Sequence, residues 1–319
     1  MASPDKVVPN FFIAGAPKAG TTSLYHALRQ HPQVFMSPVK EPSYFSAEVR
    51  LESFAPMLQP LIRAQMERVK AGIRAGVATY EAGGIVPEWP DYQQLFRGVR
   101  SEKAVGEASV CYLWSKTAPS AIAKCVPHAK ITLILRNPSE RAFSQYLHYL
   151  SDGYRAHSFA EHIRKGLEHR TRYDSYHPFL EYGLYGEQLE RYLACFPREQ
   201  VRVWVYEETL TDPQKFLRQV FEFLEVDPTF TPTSMKRYYE MQIPRAPSLT
   251  HYLRNSAMWK TLQRYFPGAL KRRLKSAVYF RQGSRHISPE DRRFLVNYYR
   301  ADIKKLAAIV DRDLSAWLT

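Results

Sequence analysis

The sequence is poor in cysteine, in long apolar runs and in acidic side chains. Three cysteines among 319 residues are too few, and too scattered, for a disulfide framework or a zinc cluster. No stretch approaches the roughly 18 consecutive apolar residues that a membrane-spanning helix needs, and the polar residues 1–10 lack the pattern of a secretory signal. These absences predict a protein of a reducing compartment, and we expect it in the cytoplasm.

The shortage of acidic residues makes the chain strongly basic. It has 45 Lys and Arg residues against 31 Asp and Glu residues, a formal net charge of +14. Residues 241–289 contain ten basic residues and no acidic one. Such a stretch is either a solvated basic face or a surface that attracts a phosphorylated cofactor, an acidic polymer, a lipid headgroup or nucleic acid. No recognisable nucleic-acid module accompanies it, so we expect no nucleic-acid partner.

Short apolar runs alternate with segments of helical period. We predict strands at residues 11–14, 34–36, 104–106, 130–135 and 201–205, and helices at 22–30, 58–74, 138–150, 185–194, 213–224 and 288–310. This alternation implies right-handed crossovers and a central, mostly parallel sheet flanked by helices. With a hydrophobic fraction of 45% and no repeat or linker, residues 1–319 are predicted to form a single α/β domain.

A glycine-rich loop connects the first predicted strand to the first helix. Residues 15–22 read Gly-Ala-Pro-Lys-Ala-Gly-Thr-Thr, and this setting places free backbone N–H groups and a helix dipole where an anion binds. Lys18 adds a mobile positive charge. Gly15 and Gly20 have the spacing of the nucleoside-triphosphate loop, but Thr21 stands where that loop has its lysine. The pattern predicts a P-loop-like phosphate site with the lysine moved inside the loop.

Two segments carry a resemblance to a known family. Residues 17–24, Pro-Lys-Ala-Gly-Thr-Thr-Ser-Leu, resemble the 5′-phosphosulfate loop of sulfotransferases that use 3′-phosphoadenosine 5′-phosphosulfate (PAPS). Residues 135–146 are similar to the family's 3′-phosphate segment, in which an arginine after a strand and a serine two helical turns later hold that phosphate. The cofactor-binding residues implied by these two matches are Lys18, Ala19, Gly20, Thr21, Thr22, Ser23, Arg136 and Ser144.

Three further segments extend the resemblance to heparan-type sulfotransferases. Residues 40–45 resemble the segment with the catalytic glutamate, residues 106–113 the acceptor-side segment, and residues 282–285 the loop that closes over the 3′-phosphate. Ala108 stands where many heparan-type members have a lysine, and this departure weakens the resemblance as an argument for a polysaccharide acceptor. The residues implied by these segments are Glu41 as catalytic base, Lys40, Glu107 and Ser109 as acceptor contacts, and Gly283, Ser284 and Arg285 as cofactor contacts.

Sulfuryl transfer requires alignment of donor and acceptor, stabilisation of the leaving phosphate and removal of the acceptor's proton. Lys18 and the loop threonines suit the first two tasks. Two residues are candidates for the third, since His148 follows Ser144 by four residues on the same helix face and matches a catalytic histidine of the N-sulfotransferases. We favour Glu41 as the main base, with His148 assisting. The transferred group carries less charge than a phosphoryl group, and the sequence offers no metal-ligand constellation, so we expect no metal.

The sequence therefore predicts a bacterial-type, PAPS-dependent sulfotransferase that resembles the heparan sulfate N- and 3-O-sulfotransferase domain. Adenosine 3′,5′-bisphosphate (PAP) would be the product, and the acceptor would be a hydroxyl or amine of a glycan, lipid or small alcohol. A P-loop kinase is the alternative enzyme, and a basic binding module without catalysis is the third reading. The oligomeric state is left open.

Overall fold

Nine short strands are present in the computed structural model, which describes residues 7–54, 56, 59–76, 81–82, 84–151, 158–168, 178–233, 242–244, 279–281 and 286–319. They are β1 (Phe11–Gly15), β2 (Val34–Met36), β3 (Val39–Lys40), β4 (Glu81–Ala82), β5 (Ala104–Ala108), β6 (Lys130–Leu135), β7 (Val201–Val205), β8 (Gln242–Pro244) and β9 (Tyr279–Arg281).

Five of these strands form one parallel sheet in the order β2-β5-β1-β6-β7. The central strand β1 is buried along its whole length, as expected for a parallel strand covered on both faces. In the register of the sheet, Phe12 lies between Glu107 of β5 and Ile131 of β6. The remaining strands form two small pairs, β3 with β4 in parallel and β8 with β9 antiparallel.

Helices connect and cover the strands. They are α1 (Thr21–Leu28), α2 (Gln59–Ala75), α3 (Trp89–Gln94), α4 (Cys111–Trp114), α5 (Ala118–Cys125), α6 (Pro138–Ser151), α7 (Phe159–Glu168), α8 (Tyr185–Leu193), α9 (Tyr206–Thr211), α10 (Pro213–Phe223) and α11 (Pro289–Val310).

Helix starts near the site are determined by short polar residues. Asn137 Oδ1 accepts hydrogen bonds from the backbone N–H groups of Ser139 at 3.0 Å and Glu140 at 3.3 Å, and Pro138 opens α6. Ser288 Oγ accepts the N–H of Asp291 at 3.1 Å at the start of α11, one residue after the predicted helix start at 288. The Asn137 cap places the first turn of α6 directly after β6.

The strand order places several loops together at one edge of the sheet. The chain leaves β1 towards β2 on one side and later crosses from β5 to β6 on the other side, so a topological switch point lies beside β1. Ligands of open α/β sheets bind at such points, outside the carboxyl ends of the strands. The phosphate loop after β1, the Glu41 segment after β3 and Arg136 after β6 are all close to this edge.

The predicted α/β fold with a parallel central sheet flanked by helices is confirmed. Strands β2, β6 and β7 have the predicted bounds, whereas β5 continues two residues beyond the predicted end, through Glu107 and Ala108. Helix α1 begins one residue earlier and ends two residues earlier than predicted. Most of the basic stretch at residues 241–289 lies outside the described residues.

Candidate active site

The phosphate loop joins β1 to α1. Gly20 precedes the helix with φ 85° and provides no side-chain cap. Its carbonyl oxygen accepts the N–H groups of Ser23 at 3.0 Å and Leu24 at 3.2 Å, and the N–H groups of Thr21 and Thr22 come before the first intrahelical bond of α1. A Cβ atom at Gly20 would lie 3.0 Å from Cε2 of Tyr206 and would also be strained by the positive φ. Glycine at this position therefore allows both the turn and the close approach of the aromatic ring.

Two of the predicted catalytic residues have unusual backbone conformations. Lys18 has φ 65° and Glu41 has φ 64°, both in the left-handed region that non-glycine residues rarely adopt. Such residues concentrate at active sites, where the surrounding structure holds them in place. Lys18 and Thr22 are half-buried, Ser23 is exposed, and Ala19 and Thr21 are buried.

Arg136 lies beside the phosphate loop. It follows β6, and its Nη1 donates a hydrogen bond to the carbonyl oxygen of Lys18 at 3.1 Å, across 118 residues of sequence. Its guanidinium carbon lies 5.0 Å from the centre of the Tyr206 ring, within the range of a cation–π contact. Glu207, the next residue of α9, accepts the backbone N–H of Asn137 at 3.0 Å. Helix α9 thus binds both the phosphate loop and the β6–α6 turn.

Lys40 and Glu41 form an ion pair next to this edge. Lys40 Nζ lies 2.5 Å from Glu41 Oε1, and the two side chains are 3% and 31% exposed. The backbone N–H of Glu41 donates to the carbonyl oxygen of Ala108 at 2.8 Å, which ties the residue to the end of β5. The buried ammonium holds one carboxylate oxygen of Glu41, while the partial exposure leaves the group accessible from solvent.

Glu107 and Ser109 lie beneath the surface, with 0% of each residue exposed. Glu107 accepts hydrogen bonds from Ser109 Oγ at 2.6 Å, from the Tyr112 hydroxyl at 2.7 Å and from the Tyr92 hydroxyl at 3.0 Å. Burial leaves neither Glu107 nor Ser109 a face open to an acceptor. Any effect of these two residues on the acceptor is therefore indirect. This differs from the predicted direct contact with the acceptor.

The hydroxyl cluster changes the titration of its members. Burial raises the pKa of Glu107 to about 7, although its three hydroxyl donors act in the opposite direction. Burial, and then the charge of Glu107, raise the pKa of both Tyr92 and Tyr112 well above the ordinary value. Both phenols therefore stay protonated at neutral pH and donate to the carboxylate.

The raised pKa of Glu107 predicts a pH-dependent stability. Between pH about 4.5 and about 7 the folded protein binds more protons at this residue than the unfolded chain, so the free energy of unfolding falls as the pH rises. The difference amounts to about 3 kcal/mol across this window. Glu107→Gln should remove that part of the slope, as measured by urea unfolding of both proteins at pH 5, 6, 7 and 8. Parallel curves for the two proteins would contradict the assignment.

The remaining predicted residues lie on α6 or outside the described part of the chain. Ser144 is buried, and His148 is half-buried one turn later on the same helix. Gly283, Ser284 and Arg285 lie outside the described residues. The structure therefore brings the phosphate loop, Arg136 and the Glu41 segment to one edge, and it places Ser144 and His148 on the helix that follows Arg136.

Sequence reasoning missed two residues of the site, Tyr206 and Glu207, and two residues of the buried network beneath it, Tyr92 and Tyr112. The first two come directly after a predicted strand, and the rule that strand ends line the site would have indicated them. Tyr112 lies within the segment that resembles the acceptor side. Tyr92 has no comparable signal, because only the folded chain brings α3 against Glu107.

Within the residues that the structure describes, none of the helices combines the length and the apolar character that a membrane span requires. The same part of the chain contains no group of three or more His, Cys, Asp or Glu residues arranged to hold a metal ion.

The fold and the loop define an α/β protein with a glycine-rich, lysine-containing loop at the carboxyl edge of a parallel sheet. The model of the Sulfotransferase family matches residues 9–232, more than two thirds of the chain. The chain belongs to this family, which confirms the predicted enzyme class and disfavours the kinase and the non-catalytic binding module.

Similar proteins agree with this membership. The crystal structure of a sulfotransferase from Alicyclobacillus acidocaldarius has a TM-score of 0.69 and 31% sequence identity, over 98% of this chain and 100% of that chain. Carbohydrate sulfotransferase 15 of Rattus norvegicus is 25% identical over 271 residues, which are 70% of this chain and 45% of that protein. The bifunctional heparan sulfate N-deacetylase/N-sulfotransferase 3 of Homo sapiens is 27% identical over 321 residues, 98% of this chain and 31% of that protein. The chain thus spans less than half the length of these two curated relatives.

Proposed function

We propose that the protein transfers a sulfuryl group from PAPS to a hydroxyl or amine of an acceptor and releases PAP. The observation that carries this proposal is the contact between the two phosphate-binding elements, in which Arg136 donates to the backbone of the phosphate loop at Lys18. A donor with phosphate groups at two separate positions suits two adjoining cationic elements. Membership of the sulfotransferase family favours sulfuryl over phosphoryl transfer.

The residues of the site fit such a donor. The start of α1 has no side-chain cap and provides the N–H groups of Thr21 and Thr22. Residues 18–23 add the ammonium of Lys18 and three hydroxyl groups. Arg136 carries five N–H donors and uses one of them for the Lys18 carbonyl. In the proposal, the loop holds the 5′-phosphosulfate end, and Arg136 with Ser144 holds the 3′-phosphate. Gly283, Ser284 and Arg285 are proposed to complete the 3′-phosphate site.

The residues of this chain perform the remaining steps. PAPS supplies the sulfuryl group when bound. Glu41 takes the proton of the acceptor's O–H or N–H group, and the electron pair of that bond forms the new bond to sulfur. The sulfur–oxygen bond to the leaving phosphate breaks with its pair on that oxygen, where Lys18 and the loop N–H groups stabilise the charge. Lys40, 2.5 Å from Glu41, orients the carboxylate, and His148 assists from α6. No divalent metal takes part in this scheme.

We propose a glycan as the acceptor class. Two relatives that match the chain are named as a carbohydrate sulfotransferase and a heparan sulfate N-sulfotransferase. An acidic glycan also suits a chain with a net charge of +14. Desulfated heparan chains, a glycolipid and small alcohols, offered separately with labelled PAPS, form the screen. Transfer only to the glycolipid, or only to a small alcohol, would contradict a free glycan chain as the acceptor. The proposed transfer from PAPS would be unaffected.

The test of the cofactor site compares two nucleotides. PAP should raise the melting temperature clearly, and adenosine monophosphate should do so much less, because only PAP has the 3′-phosphate. Arg136→Ala should remove most of that difference, since a charge-assisted contact is lost, and Ser144→Ala should remove a smaller part. The exposed Arg100→Ala is the charge-matched control and should behave as wild type. Equal stabilisation of the wild type by both nucleotides would contradict the 3′-phosphate site.

A further inference from the structure

The buried carboxylate of Glu107 lies between the carboxyl edge of the central sheet and α3. The proposed chemistry gives it no step. We propose that Glu107 is a positioning residue that holds the loop of Glu41 in its active conformation through two hydroxyl groups. The inference rests on the proposed role of Glu41 as the base. We call residues 41–45 the Glu41 loop.

One connection runs through Ser109. Its hydroxyl donates to Glu107 Oε2 at 2.6 Å and accepts the backbone N–H of Ser43 at 3.0 Å. A second connection runs through Tyr112, whose hydroxyl donates to Glu107 Oε1 at 2.7 Å and accepts the backbone N–H of Phe45 at 3.2 Å. Glu107 is therefore linked to two alternate backbone N–H groups of the Glu41 loop by one hydroxyl each.

The Glu41 loop needs such support. Glu41 has φ 64° and Ser43 has φ 56°, so two of its five residues occupy the left-handed region, which costs energy for non-glycine residues. A third bond, from the Glu41 N–H to the Ala108 carbonyl, attaches the start of the loop to β5. Alternate N–H groups of the loop, at residues 41, 43 and 45, thus bind the segment 108–112.

A carboxylate suits the centre of this network because of its hydrogen-bonding character. An ionised carboxylate only accepts hydrogen bonds, so both hydroxyl protons must point at Glu107. Their lone pairs are then left for the N–H groups of the loop. A group that also donates would compete for those lone pairs and would leave a hydroxyl proton without its acceptor. The ionised form of Glu107 therefore determines the direction of the two hydroxyl bonds through which Ser109 and Tyr112 reach the loop.

Tyr92 provides a matched comparison. Its hydroxyl also donates to Glu107 Oε1, at 3.0 Å, and its side chain is as fully buried as that of Tyr112. Only Tyr112 also accepts a loop N–H. The variants Tyr112→Phe and Tyr92→Phe each keep the ring and remove one hydroxyl group that donates to Glu107. Only Tyr112→Phe also removes a hydrogen bond to the Glu41 loop.

The kinetic test compares these variants at pH 8 with one acceptor and saturating PAPS. Tyr112→Phe and Ser109→Ala should lower kcat roughly tenfold through misplacement of the base, with the KM for PAPS and the melting shift by PAP unchanged. Tyr92→Phe should stay within about twofold of wild type. Equal losses of kcat in Tyr112→Phe and Tyr92→Phe would overturn the proposal, because a merely structural role affects both alike.

Hydrogen–deuterium exchange tests the same inference without an acceptor. The amides of Ser43 and Phe45 should exchange faster in Ser109→Ala and Tyr112→Phe, respectively, and at the wild-type rate in Tyr92→Phe. Unchanged exchange in all three variants would overturn the positioning role even if the enzyme transfers sulfate. If the wild type transfers nothing from PAPS, the proposed function fails, and the exchange rates still decide whether Glu107 holds the loop. Glu107→Gln follows as the direct variant, and the tyrosine pair keeps the test valid should Glu107→Gln fail to fold.

Discussion

Replacing Lys18 with alanine should abolish sulfuryl transfer, with a loss of roughly 10²–10³-fold or more, because the developing charge on the leaving phosphate loses a preorganised cation. The fold should persist. Lys18 is half-buried in a loop, and the backbone carbonyl to which Arg136 donates is retained in the variant. The assay is transfer of labelled sulfate at saturating acceptor, with the melting temperature as the measure of folding.

The exposed Lys103→Ala removes one positive charge away from the site and is the matched control. It should transfer at the wild-type rate. Excess EDTA should leave wild-type activity nearly unchanged, because the proposed chemistry uses no divalent metal. Activity that collapses in EDTA and returns with Mg²⁺ would support phosphoryl transfer instead.

The second large effect concerns the base. Glu41→Gln keeps the shape of the side chain but cannot accept the acceptor proton, so kcat should fall by roughly 10²–10⁴-fold. The melting shift by PAP should change little, since the carboxyl group is proposed to face the sulfate end. His148→Asn should cost less if the histidine only assists. Both variants are measured with one acceptor at saturating PAPS, so that a binding loss is not mistaken for a loss of chemistry.

Glu41→Gln also removes the negative charge that pairs with the buried ammonium of Lys40. Lys40→Met removes the same ion pair from the other side and keeps the carboxylate, so it separates the loss of the pair from the loss of the base. An inactive His148→Asn beside a Glu41→Gln enzyme within tenfold of wild type would reverse the assignment. The base would then lie on α6, and the family would be unaffected.

The sheet and the phosphate loop could be predicted because their signals are local. A continuous apolar run such as residues 130–135 indicates a buried strand, and glycine, proline and lysine in one short segment indicate a turn that can hold an anion. Local signals of this kind predict the fold, and the resemblance of residues 17–24 and 135–146 to two known segments implies the family.

The network around Glu107 could not be predicted in this way. Ser43 lies 66 residues before Ser109, and Tyr92 lies 15 residues before Glu107 in a separate helix. No period or spacing connects such residues, since their contacts arise only when α3 and the Glu41 loop pack against β5. The resemblance implies Glu107 as an acceptor contact, whereas the longer strand β5 carries this residue into the interior.

The bond between Arg136 and the Lys18 carbonyl has a consequence for ligand choice in the proposed function. It joins the two anion-binding elements directly, and Tyr206 packs against Arg136 on one side and Gly20 on the other. The distance between the two elements is therefore set before any ligand arrives. Such a site selects ligands by the distance between their anionic groups. A ligand binds with the full affinity only when its two anionic groups have the same separation as the two elements. Nucleotides would be distinguished by where they carry their phosphates and not by how many they have.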